Sequence, residues 1–501
     1  MVEKNMKNNY LIYLISFFSG FLSLAQEIIW MRLISFAGMS VPQTFSYTLA
    51  FFLLGIAVGA QIGKSICSKN VVSINTLGHI FILIAVVDLI LIGLVYWYLN
   101  ILGISILFLG LCVFVCASIR GIVFPLIHHV GTEQVKAGAQ ISNVYFSNVF
   151  GSALAPILIG FIILDYFNTQ QTYFLICFLT LVIGFLCLNA GTVKRVVVVL
   201  GVGVLVLVGV SERIILELSK GRWDEGKYPS QIFENKYGFI QVYDDEVIFG
   251  ANVYDGKFNT DIFKNTNGIE RAYLLTAIHP NAENILVIGL STGSWVKVLS
   301  TMPNVKKITV IEINPAYIDL IKQHPIVSNL LRDGRIEFIF DDGRKWIQKN
   351  QDKKFDIVLM NTTWHWRAYV SNLLSKDFFS FVSHSLSDTG VIYYNTTESL
   401  DAYYTAKKVF PYVYKYRFMI LASHEKQTLD FDSVQKNLCN LRDYLTQKNV
   451  FLGQECILAT NEIMKNPLLS YKEIDFSSLG RKPEVITDDN MIVEFKYGKG
   501  L

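Results

Sequence analysis

Basic residues are nowhere massed in this chain of 501 residues. There are 44 Lys and Arg against 41 Asp and Glu, and neither half carries the dense basic face that nucleic-acid binding requires. Nucleic acid is therefore excluded as a partner. Cysteine is scarce in the polar half. Cys67, Cys112, Cys116, Cys177 and Cys187 lie in or beside apolar runs, where a small core residue is the default. Cys112 and Cys116 stand one helical turn apart without His or acidic neighbours, so no metal site is expected. Cys439 and Cys456 alone belong to the polar half, as a disulfide or as two buried thiols. Charge is low as well, 17% against 52% hydrophobic residues, which excludes an ordinary soluble protein. Beyond about residue 212 long apolar runs are missing altogether.

The apolarity is confined to the first half. Seven stretches there approach the ~20 residues a bilayer crossing needs: roughly 10–31, 43–63, 74–97, 100–119, 142–165, 171–190 and 195–211. The first follows Lys4 and Lys7 but carries Glu27 and lacks a small-residue cleavage site, so it reads as a retained helix rather than a signal peptide. The expected setting is the cell (inner) membrane, with the lipid bilayer as one partner. Alternating the loops puts Lys4, Lys7, Lys64, Lys69, Arg120, Lys136, Lys194 and Arg195 on the amino-terminal side and only Arg32 on the other. Such a bias marks a cytoplasmic N-terminus. Seven crossings then place the remainder outside, although the short, glycine-containing seventh stretch need not span. Glu27 is expensive inside a span and suggests a pathway or relay; the plainer reading pairs it with Arg32, five positions on. Gly55, Gly59 and Gly63 recur on one helix face, which suits close helix packing.

Residues 1–212 thus form a multipass α-helical membrane domain and 213–229 a connector. The alternating segment 230–267, with its turn-like YDGKFNTD, forms a small antiparallel β domain. From 268 to 420 the pattern is α/β and doubly wound, of the Rossmann kind. After a helix at about 268–279 come strands near 285–289, 307–312, 335–340, 355–361 and 389–395, alternating with helices at 293–301, 315–322, 343–349 and 375–386. Residues 421–501 make a more polar extension with helical patterning near 433–448, ending in ITDDNMIVEF, whose Asp488 and Asp489 either return to the site or cap a turn.

In a doubly wound sheet ligands sit at the carboxyl ends of the strands. Four places qualify. ILVIGLSTGSW places Gly289, Ser291, Thr292 and Gly293 in a turn that lets backbone approach a ligand. Glu312 ends the next strand, where a carboxylate accepts from two ribose hydroxyls. Asp342 and Gly343 follow the third, positioned for a purine amino group or simply to cap a helix. Asn361 to Arg367, NTTWHWR, follows the fourth. Together they point to a nucleoside pocket.

These residues resemble the spermidine synthase family between about 230 and 400, and the whole chain resembles its membrane-fused bacterial members. AQEIIWMRL at 25–33 and FFLLGIAVGAQIG at 51–63 match their first two spans, and YDGKFNTD at 254–261 matches their leucine-aspartate-glycine element, which includes Asp255. The resemblance implies a class I methyltransferase-like fold. It also implies S-adenosylmethionine or its decarboxylated form as co-substrate, without a metal. Glu312 would then hold the ribose, Asp342 the adenine, and Tyr273 would match the tyrosine ahead of the nucleotide fold. Three aspartates of the family's pattern are missing. Thr292 replaces an aspartate of the glycine turn, which the resemblance assigns to the cationic end of the donor, and Asn361–Thr362–Thr363–Trp364–His365 replaces aspartate-serine-serine-aspartate-proline. Aminopropyl transfer needs the carboxylates of that second motif to hold and deprotonate an amine. What remains is an aromatic site: Trp364 and Trp366 to hold a cation, His365 as base, and Asn361 and Arg367 beside it as the rest of the catalytic set. The leading expectation is a membrane-anchored transferase acting on a small cationic or amphiphilic substrate. The rivals are a transporter with a regulatory nucleoside or polyamine domain and a non-catalytic scaffold. Self-association into a homo-oligomer is left open.

Overall fold

The computed structural model describes residues 2–69, 71–132, 137–189, 191–209, 213–220, 227–361 and 364–501, the side chains of 2–9, 137 and 192 excepted. The chain divides into two compact units. The first comprises residues 1–229, 234–236 and 501, and the second 230–233 and 237–500.

Six helices of the first unit are long and apolar enough to cross a membrane: Val2–Ala37, Gln43–Lys69, Ile74–Leu102, Ile106–Gly131, Ala137–Phe161 and Thr169–Cys187. Polar caps start the third, fourth and sixth of them. Ser73 with Thr76, and Asn168 with Gln171, form reciprocal capping boxes that satisfy amides otherwise left bare. The seventh stretch differs from the other six. Val193–Val208 and Arg213–Ser219 meet at 46°, so a straight seventh span is not formed. Lys136, one of the loop charges, lies outside the described residues.

Glycines set the helix contacts. A Cβ on Gly59 would stand 1.9 Å from the Ser118 carbonyl, and one on Gly151 2.0 Å from that of Phe17, so the second and fourth helices, like the first and fifth, touch backbone to backbone. Arg120 corrects the loop-charge count. It lies within Ile106–Gly131, where its guanidinium grips both oxygens of Asp88 at 2.9 and 2.5 Å, while Tyr173 donates to the Asp88 carbonyl at 2.8 Å. An arginine buried among apolar helices persists only when so paired. The expected pairing of Glu27 with Arg32 is also replaced. Arg32 donates to Thr169 Oγ1 at 2.8 Å and to Glu234 at 3.2 Å, and Glu234 belongs to this same unit.

Two sheets occupy the polar half. A four-stranded antiparallel sheet runs in the order β1 (Gln231–Asn235), β2 (Gly238–Val242), β3 (Val247–Gly250), β4 (Val253–Lys257). The larger sheet holds β5 (Asn284–Ile288), β6 (Lys307–Glu312), β7 (Ile336–Phe340), β8 (Phe355–Met360), β9 (Leu386–Asn395), β10 (Tyr412–Tyr416), β11 (Met419–Ser423) and β12 (Leu469–Ser470). Their order is β12-β10-β11-β9-β8-β5-β6-β7. β5 to β9 pair in parallel, as the alternating helices require. β11, β10 and β12 add an antiparallel edge that the sequence reading did not contain. The end of β11 and β12 thus carry the sheet past residue 420 into the stretch read as an extension.

Successive residues of the central strands feed opposite cores. Ile285, Val287, Ile308 and Val310 pack on one face, and Leu286, Ile288 and Ile311 on the other. This double burial explains why those strands are continuous apolar runs. Beside the first of these cores, Cys439 and Cys456 form a disulfide between the helices Phe431–Cys439 and Gln454–Met464.

Candidate functional site

β5 lies between β6 and β8, so the chain winds away in opposite directions from it and the strand ends splay into a crevice. The turn after β5 needs three left-handed residues, Gly289 (φ +89°), Ser291 (φ +49°) and Gly293 (φ +74°). At Gly293 a side chain would also meet Ile321 at 2.9 Å. The turn aims its amides across to β6. Glu312 Oε2 accepts from Leu290 N–H at 2.7 Å, and Oε1 accepts from Asn314 N–H at 2.9 Å. Burial pushes the Glu312 carboxyl up to about 7, with these amides pulling the other way.

Glu312 lines a cavity of ≈450 Å³ together with Gly289, Asp341, Asp342, Gly343, Tyr317 and Arg367. Asp342 is also a helix cap, its Oδ1 accepting from Lys345 N–H at 2.8 Å, while the residue lines the cavity. A second cavity of ≈190 Å³ is lined by Tyr254, Trp295, Trp364, Phe418, Lys257, Arg271, Thr292 and Glu398. The two share a wall. Asp255, Ser291 and Asn361 border both.

Asp255 is the charged member of that wall. Tyr317 donates to its Oδ2 at 2.6 Å, and Ser291 Oγ donates to its backbone carbonyl at 2.9 Å. Burial raises its pKa, against the Tyr317 hydrogen bond and the Arg367 charge. Thr292, also expected in the turn's ligand set, spends its hydroxyl on Ser294 Oγ at 2.9 Å.

Three expected site residues stand elsewhere. His365 borders neither cavity. Its Nδ1 lies 2.9 Å from both the carbonyl and the hydroxyl oxygen of Thr397, its own N–H donates to that hydroxyl, and burial lowers its pKa, so it anchors its loop. Trp366 also misses both cavities and carries Lys499 over its ring at 4.9 Å. The expected tryptophan pair thus reduces to Trp364. Tyr273 is in the core, donating to the Thr260 carbonyl at 2.9 Å and packed on Phe451. Thr362 and Thr363 lie outside the described residues.

Other residues enter that the sequence reading had not singled out. Arg271 sits over Phe418 at 4.5 Å and Trp295 at 5.1 Å, so the aromatic box of the smaller cavity already holds a cation of the chain itself. No spacing announces that arrangement. Tyr317 was more accessible to inference, being on the first turn of the helix after Glu312. The C-terminal segment braces the larger cavity: Arg344, on its wall, is gripped by Asp488, 2.8 Å to Oδ1. Glu494 accepts the amides of Tyr369 and Ser371 at 3.0 and 2.7 Å, fixing the loop that carries Arg367. Among the described residues no cluster of three His, Cys, Asp or Glu is placed to hold a metal.

Residues 274–444 match the spermine/spermidine synthase domain. A polyamine aminopropyltransferase of Agathobacter rectalis is 28% identical over 184 residues, 36% of this chain and 60% of that protein. One from Bacillus mycoides is 32% identical over 114 residues, 23% of this chain and 41% of that protein. The chain therefore spans only about half the length of these relatives. The crystal structure of spermidine synthase from Thermotoga maritima superposes with a TM-score of 0.35 at 16% identity, over 48% of this chain and 91% of that one.

Proposed function

We propose that this spermidine synthase-like chain is a membrane-anchored transferase that takes a sulfonium nucleoside in the larger cavity and a small amine-bearing acceptor in the smaller. The observation that carries the reading is the common wall, because group transfer requires two substrates to meet at one point. Glu312 at a strand end beside a glycine turn fits a ribose, and Asp342 on the same lining fits an adenine amino group. The neutral Thr292 does not fit the family's manner of holding the cationic end of the donor, nor the neutral Asn361 its manner of holding an amine acceptor.

A sulfonium donor supplies an electrophilic carbon: as the acceptor nitrogen bonds to it, the carbon–sulfur bond breaks with its electron pair going to sulfur. The acceptor must then lose a proton. Asp255 takes that part in our reading, being the one carboxylate that borders both cavities, and burial moves it toward the basicity a general base needs. Tyr317 orients it. This replaces His365, which faces Thr397 instead.

The test is to incubate the full-length protein with S-adenosylmethionine or its decarboxylated form and a panel of amines, and to follow release of the thioether nucleoside. Amine-dependent release, abolished in Asp255→Asn, is expected. Release that ignores the amine, or that survives the substitution, would sink the reading.

The Cys439–Cys456 disulfide favours a second reading. Such bonds persist in oxidising compartments. Six crossings from a cytoplasmic N-terminus leave the sheet unit among cytosolic nucleosides; a seventh through 193–219 would put it outside, as the loop charges suggest. There it would act as a binding module or scaffold, and protease accessibility in intact spheroplasts separates the two.

A further inference from the structure

Resting on the reading of the larger cavity as a nucleoside site, we propose that Tyr369 is the residue that covers the bound base, its ring lying against the face of the adenine. The loop after β8 carries it. Val370 N–H donates to the Arg367 carbonyl at 3.3 Å, which closes a turn with Tyr369 at its third position, and Tyr369 is left-handed there (φ +70°). That position of such a turn belongs to glycine or asparagine, because a larger side chain on a left-handed residue crowds its own backbone. The strained conformation is held from outside the loop. Glu494, itself buried, accepts the amides of Tyr369 and Ser371 at 3.0 and 2.7 Å.

What this turn displays is an aromatic ring that the chain itself does not use. Tyr369 lines the larger cavity yet is 78% exposed, and among the described residues its side chain has no hydrogen-bonding, stacking or cationic partner. Neither turn chemistry nor core packing accounts for a tyrosine there, and strain kept at the mouth of a cavity points to a ligand. The course of the loop says which part of the ligand. It starts at Arg367, whose charge acts on Asp255 at the wall shared with the smaller cavity. It reaches Asn372, whose carbonyl accepts from Arg344 Nη1 at 2.7 Å at the start of the helix that Asp342 caps. Tyr369 thus stands between the shared wall and the residue read as meeting the adenine amino group. Hydrogen bonds read the edge of a base, whereas stacking on an aromatic ring answers its face. A neutral ring does so whatever the balance of the charged groups around the cavity.

The experiment is calorimetric titration of methylthioadenosine into the purified full-length protein and its Tyr369 variants. Tyr369→Asn and Tyr369→Gly remove the ring with residues that a left-handed backbone accepts, so neither adds strain to the turn. Each is expected to bind roughly tenfold more weakly than the parent, the order of one base–aromatic stack. Tyr369→Phe keeps the ring and should stay within about twofold of the parent. Parent-like binding by Tyr369→Asn, or a Tyr369→Phe variant as weak as Tyr369→Asn, would overturn this inference and leave the nucleoside site standing. No binding of methylthioadenosine to the parent would remove both.

Discussion

Two clusters of buried charge, one in each unit, are handled in opposite ways. In the helical unit Asp88 and Arg120 close on one another through both carboxylate oxygens, and the void that Arg120 borders measures ≈10 Å³. In the sheet unit Glu312, Asp255 and Arg367 border a cavity of ≈450 Å³. The first arrangement answers every demand within the chain, and the second leaves room for something else to answer. A buried charge is thus a guide to function only together with the space around it. Asp88 and Arg120 are structural by that test, and Glu312 is the candidate for a site.

The contrast is most easily broken in the helices. Arg120→Leu leaves a lone carboxylate in an apolar interior and should cost about 3–5 kcal/mol, seen as a fall in thermal stability of the detergent-purified protein. Replacing Asp88 and Arg120 together by apolar residues should restore most of it. A single variant as stable as the parent would mean that the pair does not close as described.

Glu312→Gln is the matching change in the sheet unit. It should weaken nucleoside binding by roughly 2 kcal/mol, about thirtyfold, by removing the charge that strengthens hydrogen bonds from ribose hydroxyls. An unchanged dissociation constant in calorimetry would place Glu312 with the structural charges instead.

The pH dependence sharpens the same point, because stability and binding should move in opposite directions. The folded carboxyl sits near 7, above its ordinary value of 4.5, so its contribution to stability is full below 4.5 and is lost as pH rises through 7. Nucleoside affinity, which uses the ionised form, should instead rise over that interval. Titrations at pH 6 and 8 check this, and affinity that falls with pH would contradict it.

Asp342→Ala gives the smallest effect. As a cap of the helix Gly343–Lys349 it is worth about 1 kcal/mol of stability. Any loss of adenosine affinity relative to a ribose-only analogue would show that it also reads the base.

The central sheet was legible because its strands are buried on both faces and so announce themselves as apolar runs; Gly289, Glu312 and Asp342 then followed from strand ends alone. The antiparallel edge was hidden, since β10 and β11 are only five residues each and β10 mixes lysine and tyrosine with its one valine. Arg120 was misplaced for a related reason: span lengths were cut at a charge, whereas a partner on another helix let the helix continue to Gly131. His365 misled because residue type says nothing of direction. Its loop turns the ring toward Thr397, a contact 32 residues away that no local pattern encodes.

The account rests on the larger cavity being a nucleoside site built on Glu312. The direct measurement is calorimetric titration of methylthioadenosine into the full-length protein and its Glu312→Gln variant at pH 8. Saturable binding to the parent, weakened about thirtyfold in the variant, is the predicted result. No binding to the parent, or equal binding to both, would contradict it.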